Sequence, residues 1–252
     1  WTGIGIDLLV FNGYLVTTGI DATPFGYLIA SIIFGITAGV FRRASLLAGF
    51  FEPLPRGAPL PVEHPFTKGL NIESGYLAGK KFLIEVDPSV AYEQALKDFS
   101  VESLSDGFLV YVFTARGGPV YSSLSTILGV RLYVLTTRVS YPTPGEQPNE
   151  VAVPQNDQAI ILDVIDKTVH ANPEGKVAII YDNISDIILS AGFEETYKFL
   201  KQMNEIINDP RVNSLFILTA GAHPVENVSL IRSLFPVHIT YDSSGLRFTR
   251  RT

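Results

Sequence analysis

The hydrophobic positions near the amino terminus form long uninterrupted runs rather than an amphipathic pattern. Residues 1–41 contain no Lys or Arg and only two acidic residues, whereas every basic residue lies from Arg42 onward. The eighteen uncharged residues 24–41 would extend about 27 Å as a helix, close to the ~30 Å hydrocarbon core of a bilayer. Because Arg42 and Arg43 come directly after them, the pattern predicts a transmembrane helix over about 24–41 whose carboxyl end is cytoplasmic.

A second apolar run, residues 1–20, predicts another crossing, antiparallel to the first. Its acidic residue Asp7 is expected either to face a polar cavity or to lie at the level of the lipid headgroups. Small residues in the 24–41 helix share one face, which is typical of close helix packing; they are Ser31, Gly35 and Gly39. The two helices predict a multi-pass protein of the cell membrane that contacts the lipid bilayer and could form homo-oligomers through this face.

Proline becomes frequent after the second predicted helix, and the helical pattern stops. Five prolines fall within thirteen residues: Pro53, Pro55, Pro59, Pro61 and Pro65. This density disfavours helix and favours extended chain, so it predicts a juxtamembrane linker. The predicted organisation is therefore transmembrane helices in 1–43, the linker in 44–65 and a cytoplasmic domain in 66–252.

From residue 66 onward, short apolar runs alternate with runs of helical period. This alternation is typical of an α/β fold, here a mostly parallel sheet between two layers of helices. The strands are apolar almost throughout, which indicates burial on both faces. The predicted strands are Lys81–Val86, Phe108–Phe113, Arg131–Thr136, Val177–Tyr181, Leu215–Thr219 and Val237–Tyr241, with an antiparallel edge strand at Leu246–Arg250. The predicted helices are Pro88–Phe99, a short one near Pro119–Leu128, Asn156–Val169, Phe193–Asn208 and Pro224–Leu234.

The amino-acid composition argues against several classes of partner and active site. A net charge of −6 argues against a nucleic-acid partner, because phosphate binding needs a basic face. The absence of cysteine excludes disulfides, Cys-ligated metals and a thiol nucleophile, and the four histidines are too scattered in sequence to predict a metal site. No Gly-x-Ser-x-Gly elbow occurs, so the sequence gives no support for nucleophilic hydrolysis. We predict no catalytic residue, cofactor or metal. Since the chain starts at Trp1 and its one methionine is Met203, it is expected to be the carboxyl-terminal part of a longer protein.

The predicted α/β domain lacks a standard phosphate-binding loop. The segment Gly75–Lys80 has three residues between its glycines instead of four, lacks a subsequent Ser or Thr, and precedes a strand rather than coming after one. After the first strand, Asp87 is predicted to cap a helix that begins at Pro88. Its carboxylate would then occupy the helix amides that could otherwise bind phosphate, and would repel an anion.

Two other strand ends carry candidate ligand-binding residues. Val177–Asp182 is an apolar strand that ends in a carboxylate, the form of a Walker B element in which Asp182 would hold Mg²⁺ and its water. Alternatively, Asp182 and Asp186 only accept hydrogen bonds from their loop. Arg116 comes after the second strand, at the edge where ligands of open α/β sheets collect. One prediction is that Arg116 contacts an anion. The alternative is a structural role, in which it holds the adjacent Gly-Gly-Pro turn or pairs with Asp182.

Several short motifs of the α/β domain carry a resemblance to a known family. The best-defined is Ile179–Ile184, and the others are Asp87-Pro88 with Ala91-Tyr92, Arg116 with Pro119, Gly129-Val130 with Tyr133-Val134-Leu135-Thr136, Pro154, and Ile187-Ile188 with Gly192-Phe193-Glu194. Through them, the stretch from about Gly75 to Asp242 resembles the archaeal family called domain of unknown function 835. The resemblance implies a core similar to that of RecA and KaiC ATPases but without the phosphate loop.

The first 56 residues resemble the end of the seven-helix sensor region of some histidine kinases, through Gly19–Gly26, Phe41–Arg43 and Pro53–Arg56. This resemblance implies that the two predicted spans are the sixth and seventh helices. No histidine-kinase core motif occurs after them in the sequence. The expected function is that of a membrane-anchored archaeal signalling protein with a non-catalytic RecA-like module and an unidentified protein partner. The alternatives are a divergent nucleotide-binding ATPase that uses Asp182 and Arg116, and a simple anchored domain.

Overall fold

The structure is a computed structural model that describes residues 35–37, 64–73 and 75–251. It divides the chain into two compact units, Trp1–Gly49 and Phe50–Thr252. In the first unit, residues 35–37 are helical and exposed. Among the described residues, none belongs to a helix with the length and apolar character needed to cross a bilayer.

The predicted membrane region stays a prediction. Apart from residues 35–37, the spans at 1–20 and 24–41 lie outside the described residues, and so do Ser31 and Gly39. Gly35 is described, in the short helical piece. The predicted linker is described only at residues 64 and 65, where it leads into a helix rather than extended chain.

The described part of the second unit is built on a nine-stranded mixed sheet with the order β4-β5-β3-β2-β6-β7-β1-β8-β9. Only the two outer pairs, β4 with β5 and β8 with β9, are antiparallel, and the strands between them run parallel. The strands are β1 Lys81–Val86, β2 Phe108–Ala115, β3 Val130–Thr136, β4 Thr143–Pro144, β5 Glu150–Pro154, β6 Lys176–Tyr181, β7 Val212–Leu218, β8 Val237–Asp242 and β9 Gly245–Arg251.

Helices cover both faces of the sheet, because its central strands are apolar on both sides. The helices are α1 Pro65–Gly69, α2 Glu93–Ser105, α3 Pro119–Leu124, α4 Gln158–His170, α5 Ile184–Ala191, α6 Phe193–Ile206 and α7 Val225–Arg232. Apolar side chains of α1, α2 and α3 form one core with one face of the strands, and those of α4 to α7 form a second core with the other. The predicted three-layer, mostly parallel α/β arrangement is therefore confirmed.

The first predicted helix is wrong at its start. We expected it to begin at Pro88 with Asp87 as its cap, but α2 begins at Glu93 and Tyr92 precedes it. The Asp87 carboxylate instead accepts hydrogen bonds from the amide and hydroxyl of Ser89, at 2.8 and 2.6 Å. This local turn, typical of aspartate before a proline or serine, holds residues 87–89 out of the helix.

The sequence analysis missed four elements, namely α1, β4, β5 and α5. Strand β5 ends at Pro154, in a segment for which we predicted no strand. Helix α5 fills a segment that we predicted as loop, and it begins because the Asn183 side chain accepts a 2.7 Å hydrogen bond from the Ser185 amide. Gly192, with φ of 86°, separates α5 from α6, since this left-handed backbone suits glycine.

Candidate functional site

The strongest candidate site lies at the carboxyl ends of β2 and β6, which are neighbours in the sheet. Thr114 is near the end of β2 and Asp182 comes directly after β6. The backbone amide of Asp182 donates a 2.9 Å hydrogen bond to the carbonyl of Phe113, which continues the ladder between the two strands. Ligands of open α/β sheets collect at this edge, so the position of Asp182 agrees with its prediction as a candidate.

Both carboxylate oxygens of Asp182 accept hydrogen bonds from protein side chains. The Tyr92 hydroxyl donates to Oδ1 at 2.8 Å, and the Thr114 hydroxyl donates to Oδ2 at 2.9 Å. Tyr92 stands immediately before the first residue of α2. Its ring therefore spans the space between the start of that helix and the end of β6.

The environment of Asp182 disfavours its charge. Burial raises the pKa of Asp182 to about 6; the hydrogen bonds from Tyr92 and Thr114 lower it, and the negative charges of Asp186 and Glu93 raise it further. The pKa of the Tyr92 hydroxyl is raised by burial and by the nearby Asp182 charge. Tyr92 therefore stays protonated and remains a donor throughout the physiological range.

Asp186 lies in the first turn of α5, beside the Asp182 corner. Partial burial raises the pKa of Asp186 as well. The helix that carries it is fixed to the end of β7, because the Thr219 amide donates a 3.0 Å hydrogen bond to the hydroxyl of buried Ser185. The structure thus brings two of the predicted candidates, Asp182 and Asp186, into electrostatic contact.

Arg116 belongs to a different cluster. Its guanidinium forms ion pairs of 2.7 Å with Glu146 and with Glu150, and it lies over the Tyr121 ring at 5.5 Å. Tyr121 also donates a very short hydrogen bond to Glu150. Of the alternatives for Arg116, pairing with Asp182 is therefore wrong.

The Glu150 carboxylate, which is buried, holds this cluster together. It accepts hydrogen bonds from Arg116, from Tyr121, and from the amides of Glu146 and Gln147 at 3.1 and 3.3 Å. Burial alone would raise the pKa of Glu150, but these hydrogen bonds outweigh it and lower the pKa. The cation of Arg116 is thus neutralised by two carboxylates, which makes it a poor anion ligand.

Asp87 is a solvent-exposed turn residue in the structure. Hydrogen bonds from Ser89 lower its pKa, so it is ionised at neutral pH. Because it does not cap α2, it does not cover the amides of that helix as we predicted.

Sequence reasoning missed three residues that define these sites, namely Tyr92, Thr114 and Glu150. A tyrosine before a helix and a threonine late in a strand carry no specific signal by themselves. Glu150 lies in a segment that we predicted as loop, and only the pairing of β5 with β3 shows that it is buried. Its partner Arg116 was recognised as a candidate without it.

No protein-family model and no curated protein matches the chain. Two solved structures from Pyrococcus horikoshii OT3 are similar to it. One, from a structural study of that organism, has 11% sequence identity and a TM-score of 0.48, covering 69% of this chain and 87% of the other. The second is a KaiC-like protein of the same hyperthermophilic archaeon, with 12% identity and a TM-score of 0.49, covering 75% of this chain and 81% of the other.

Proposed function

We propose that this chain is a membrane-anchored regulatory protein of the archaeal family called domain of unknown function 835, and that its α/β domain is a RecA-like module that binds another protein instead of turning over nucleotide. The three-layer α/β fold with a mostly parallel sheet is compatible with this assignment. We expect no nucleotide turnover at the carboxyl edge of the sheet, and we expect the partner of the domain to be a protein.

The observation that carries the proposal is the hydrogen bonding of Asp182. A Walker B aspartate holds Mg²⁺ or its water through its carboxylate oxygens. Here Tyr92 and Thr114 donate to the two oxygens at 2.8 and 2.9 Å. Each oxygen keeps one further acceptor site, so a hydrated cation would have to share an oxygen that already accepts an internal hydrogen bond.

Two further features support a non-catalytic domain. Tyr92, which precedes α2, donates its hydroxyl to Asp182 after β6, so its side chain lies at the edge where ligands of open α/β sheets collect. Arg116, the cation predicted for this edge, is held by Glu146 and Glu150 instead. Of the candidates that we identified at this edge, Asp182 is already hydrogen-bonded at both oxygens and Arg116 is already paired with two carboxylates.

Membrane anchoring is supported by the sequence alone. The uncharged stretch 24–41 matches the bilayer thickness, and Arg42 with Arg43 favours a cytoplasmic position for the α/β domain. Expression of the full chain and alkaline extraction of the membranes test this part. We expect the chain to remain in the membrane pellet, and its release into the supernatant would contradict the anchor.

An ATPase assay of the full chain in detergent tests the non-catalytic part. We expect Mg²⁺-dependent ATP and GTP turnover of the wild type to equal that of Asp182→Asn. The asparagine keeps the size of the side chain and still hydrogen-bonds to both hydroxyls, so the variant should fold. Turnover that is present in the wild type and lost in Asp182→Asn would overturn the proposal.

A divergent nucleotide-binding site is the second candidate, and one observation favours it. Asp182 and Asp186 interact electrostatically at a ligand-binding edge, and burial raises the pKa of both. Such paired carboxyl groups are common at functional sites and would gain from a divalent cation. In that case Mg²⁺ with nucleotide should raise the melting temperature of the wild type and leave the melting temperature of Asp182→Asn unchanged.

A further inference from the structure

A second cluster of ionisable side chains lies far from Asp182, at the amino edge of the sheet. Glu102 is in the last turn of α2, and Asp106 comes after that helix, one turn later on the same side. His64 directly precedes α1, which packs against α2. Since β2 begins at Phe108, the cluster lies where that strand starts, opposite the edge that carries Asp182.

The spacing of the three side chains matches that of ligands around one cation. The Nδ1 atom of His64 is 3.6 Å from Oε1 of Glu102 and 3.8 Å from Oδ1 of Asp106. The three ligand atoms all lie within 4.8 Å of one another. These distances are too long for hydrogen bonds. Two ligands about 2.1 Å from a tetrahedral metal are roughly 3.4 Å apart, close to the observed spacing.

Glu102 supplies an independent indication of a missing positive partner. Its side chain is 0% exposed, and its Oε2 accepts a 2.9 Å hydrogen bond from the Thr67 amide. Its Oε1, which points to His64, accepts no hydrogen bond within the described part of the chain, and Nδ1 of His64 makes none there either. A buried carboxylate with one unsatisfied oxygen is costly unless a cation compensates it.

We propose that His64, Glu102 and Asp106 bind one divalent transition-metal ion, and that Zn²⁺ fits them best. An imidazole nitrogen with two carboxylate oxygens is a donor set that suits Zn²⁺, and three protein ligands leave a fourth position for water. A cavity of about 300 Å³, which His64 and Asp106 help to line, gives the ion and its water access from solvent.

The rival explanation is a protonated His64 that pairs with both carboxylates without any metal. This explanation accounts for the charges. It does not explain why Nδ1 of His64 lies 3.6 and 3.8 Å from the two carboxylate oxygens, beyond hydrogen-bond distance. The two explanations differ in whether the chain binds metal.

Metal binding here would fix the chain where it enters the α/β domain. His64 lies at the end of the proline-rich stretch, next to Pro65, and in the described part of the chain it is tied to α2 through this cluster and through the packing of α1. The ion would therefore set the direction in which the predicted linker leaves the domain. This inference is independent of the proposed function, because it uses neither Asp182 nor the carboxyl edge.

The test is a titration of the full chain, stripped of metal with a chelator, with ZnCl₂ by calorimetry. Co²⁺ absorption provides a second reading of the coordination. We expect one Zn²⁺ per chain, and an affinity at least about 100-fold lower in His64→Ala, Glu102→Gln and Asp106→Asn, since loss of outer-shell partners alone costs 10–100-fold. The matched control is His170→Ala, an exposed histidine beside Asp166 on α4.

Asp106→Asn keeps the test decisive even if the more buried variants fold poorly. Asp106 is partly exposed and its side chain makes no structural hydrogen bond within the described residues, so the variant should fold and still lose Zn²⁺ and the Co²⁺ spectrum. The proposal is overturned if the wild type shows no saturable binding. It is equally overturned if Asp106→Asn binds as tightly as His170→Ala.

Discussion

The hydroxyl of Tyr92 and the carboxylate of Asp182, ninety positions apart in the chain, are joined by a 2.8 Å hydrogen bond. This bond links the start of α2 to the end of β6, across the edge of the sheet where a ligand would enter. It turns the most conspicuous candidate carboxylate into a structural acceptor. Substitutions at Tyr92 and Asp182 test that role, and a substitution at Arg116 tests the role of the neighbouring cluster.

Removing the Tyr92 hydroxyl should destabilise the domain more at high pH than at low pH. Tyr92→Phe leaves one oxygen of a buried carboxylate without its donor, and a hydrogen bond to a charged group contributes about 1.5–3 kcal/mol. We expect the free energy of unfolding to fall by about that amount at pH 8, and by less at pH 4.5, where Asp182 is protonated. Urea unfolding at the two pH values measures it.

Tyr197→Phe is the matched control for that experiment. Its hydroxyl makes no hydrogen bond within the described residues, and its ring packs on Phe193. We expect little loss at either pH. If Tyr92→Phe lowers the free energy of unfolding equally at pH 8 and pH 4.5, the hydroxyl does not stabilise the ionised form of Asp182.

The raised pKa of Asp182 predicts a particular pH dependence of stability. Burial raises this pKa to about 6, above the value near 4 expected in the unfolded chain. The folded state therefore binds the proton more tightly, so this contribution to stability is present below pH 4 and is lost as the pH rises through 6. The advantage of Asp182→Asn over the wild type should grow between pH 4 and 7 and then level off.

Asp87→Asn should show the opposite trend. Hydrogen bonds from Ser89 lower the pKa of Asp87, so its contribution to stability is present above pH 4 and lost as the pH falls. The free energy of unfolding of Asp87→Asn should therefore fall below that of the wild type as the pH rises toward 4, and the difference should then stay constant. Chemical unfolding of both variants and the wild type from about pH 2.5 to pH 8 compares the two slopes, and a flat difference for Asp182→Asn contradicts the assigned environment.

Arg116 should matter for stability rather than for ligand binding. Arg116→Ala removes a charged partner of buried Glu150, which keeps Tyr121 and two amides, so we expect a loss of about 1–3 kcal/mol in unfolding free energy. Glu146→Gln alters only an exposed ion pair and should cost less than about 1 kcal/mol. Similar losses for the two variants in thermal and urea unfolding would contradict a cluster centred on Glu150.

The strands of the domain could be predicted because each carries its own signal. β1 was predicted with its observed ends, and the run Leu246–Arg250 was predicted as an antiparallel edge strand, which the pairing of β9 with β8 confirms. Buried parallel strands are continuous apolar runs bounded by polar turns, and this information is local. The start of α2 was wrong because two local preferences compete at Asp87, and the turn with Ser89 prevailed over the helix cap.

The sites could be predicted only in part, because they depend on contacts between distant segments. Asp182 and Arg116 were recognised from their positions at strand ends, but their partners Tyr92 and Glu150 lie far away in sequence. The cluster of His64 with Glu102 was not predicted for the same reason, because 38 positions separate the two residues. Neither residue lies in a metal-binding sequence motif. Only the packing of α1 on α2 brings them together.

An equilibrium titration of the full chain with ATP and GTP in the presence of Mg²⁺ decides whether the Asp182 edge is a nucleotide site; we expect that it is not. Calorimetry on the wild type and Asp182→Asn should give no saturable heat up to millimolar nucleotide in either protein. Binding by the wild type at micromolar nucleotide, abolished in Asp182→Asn, would contradict this expectation and make Asp182 a ligand of the bound metal and nucleotide.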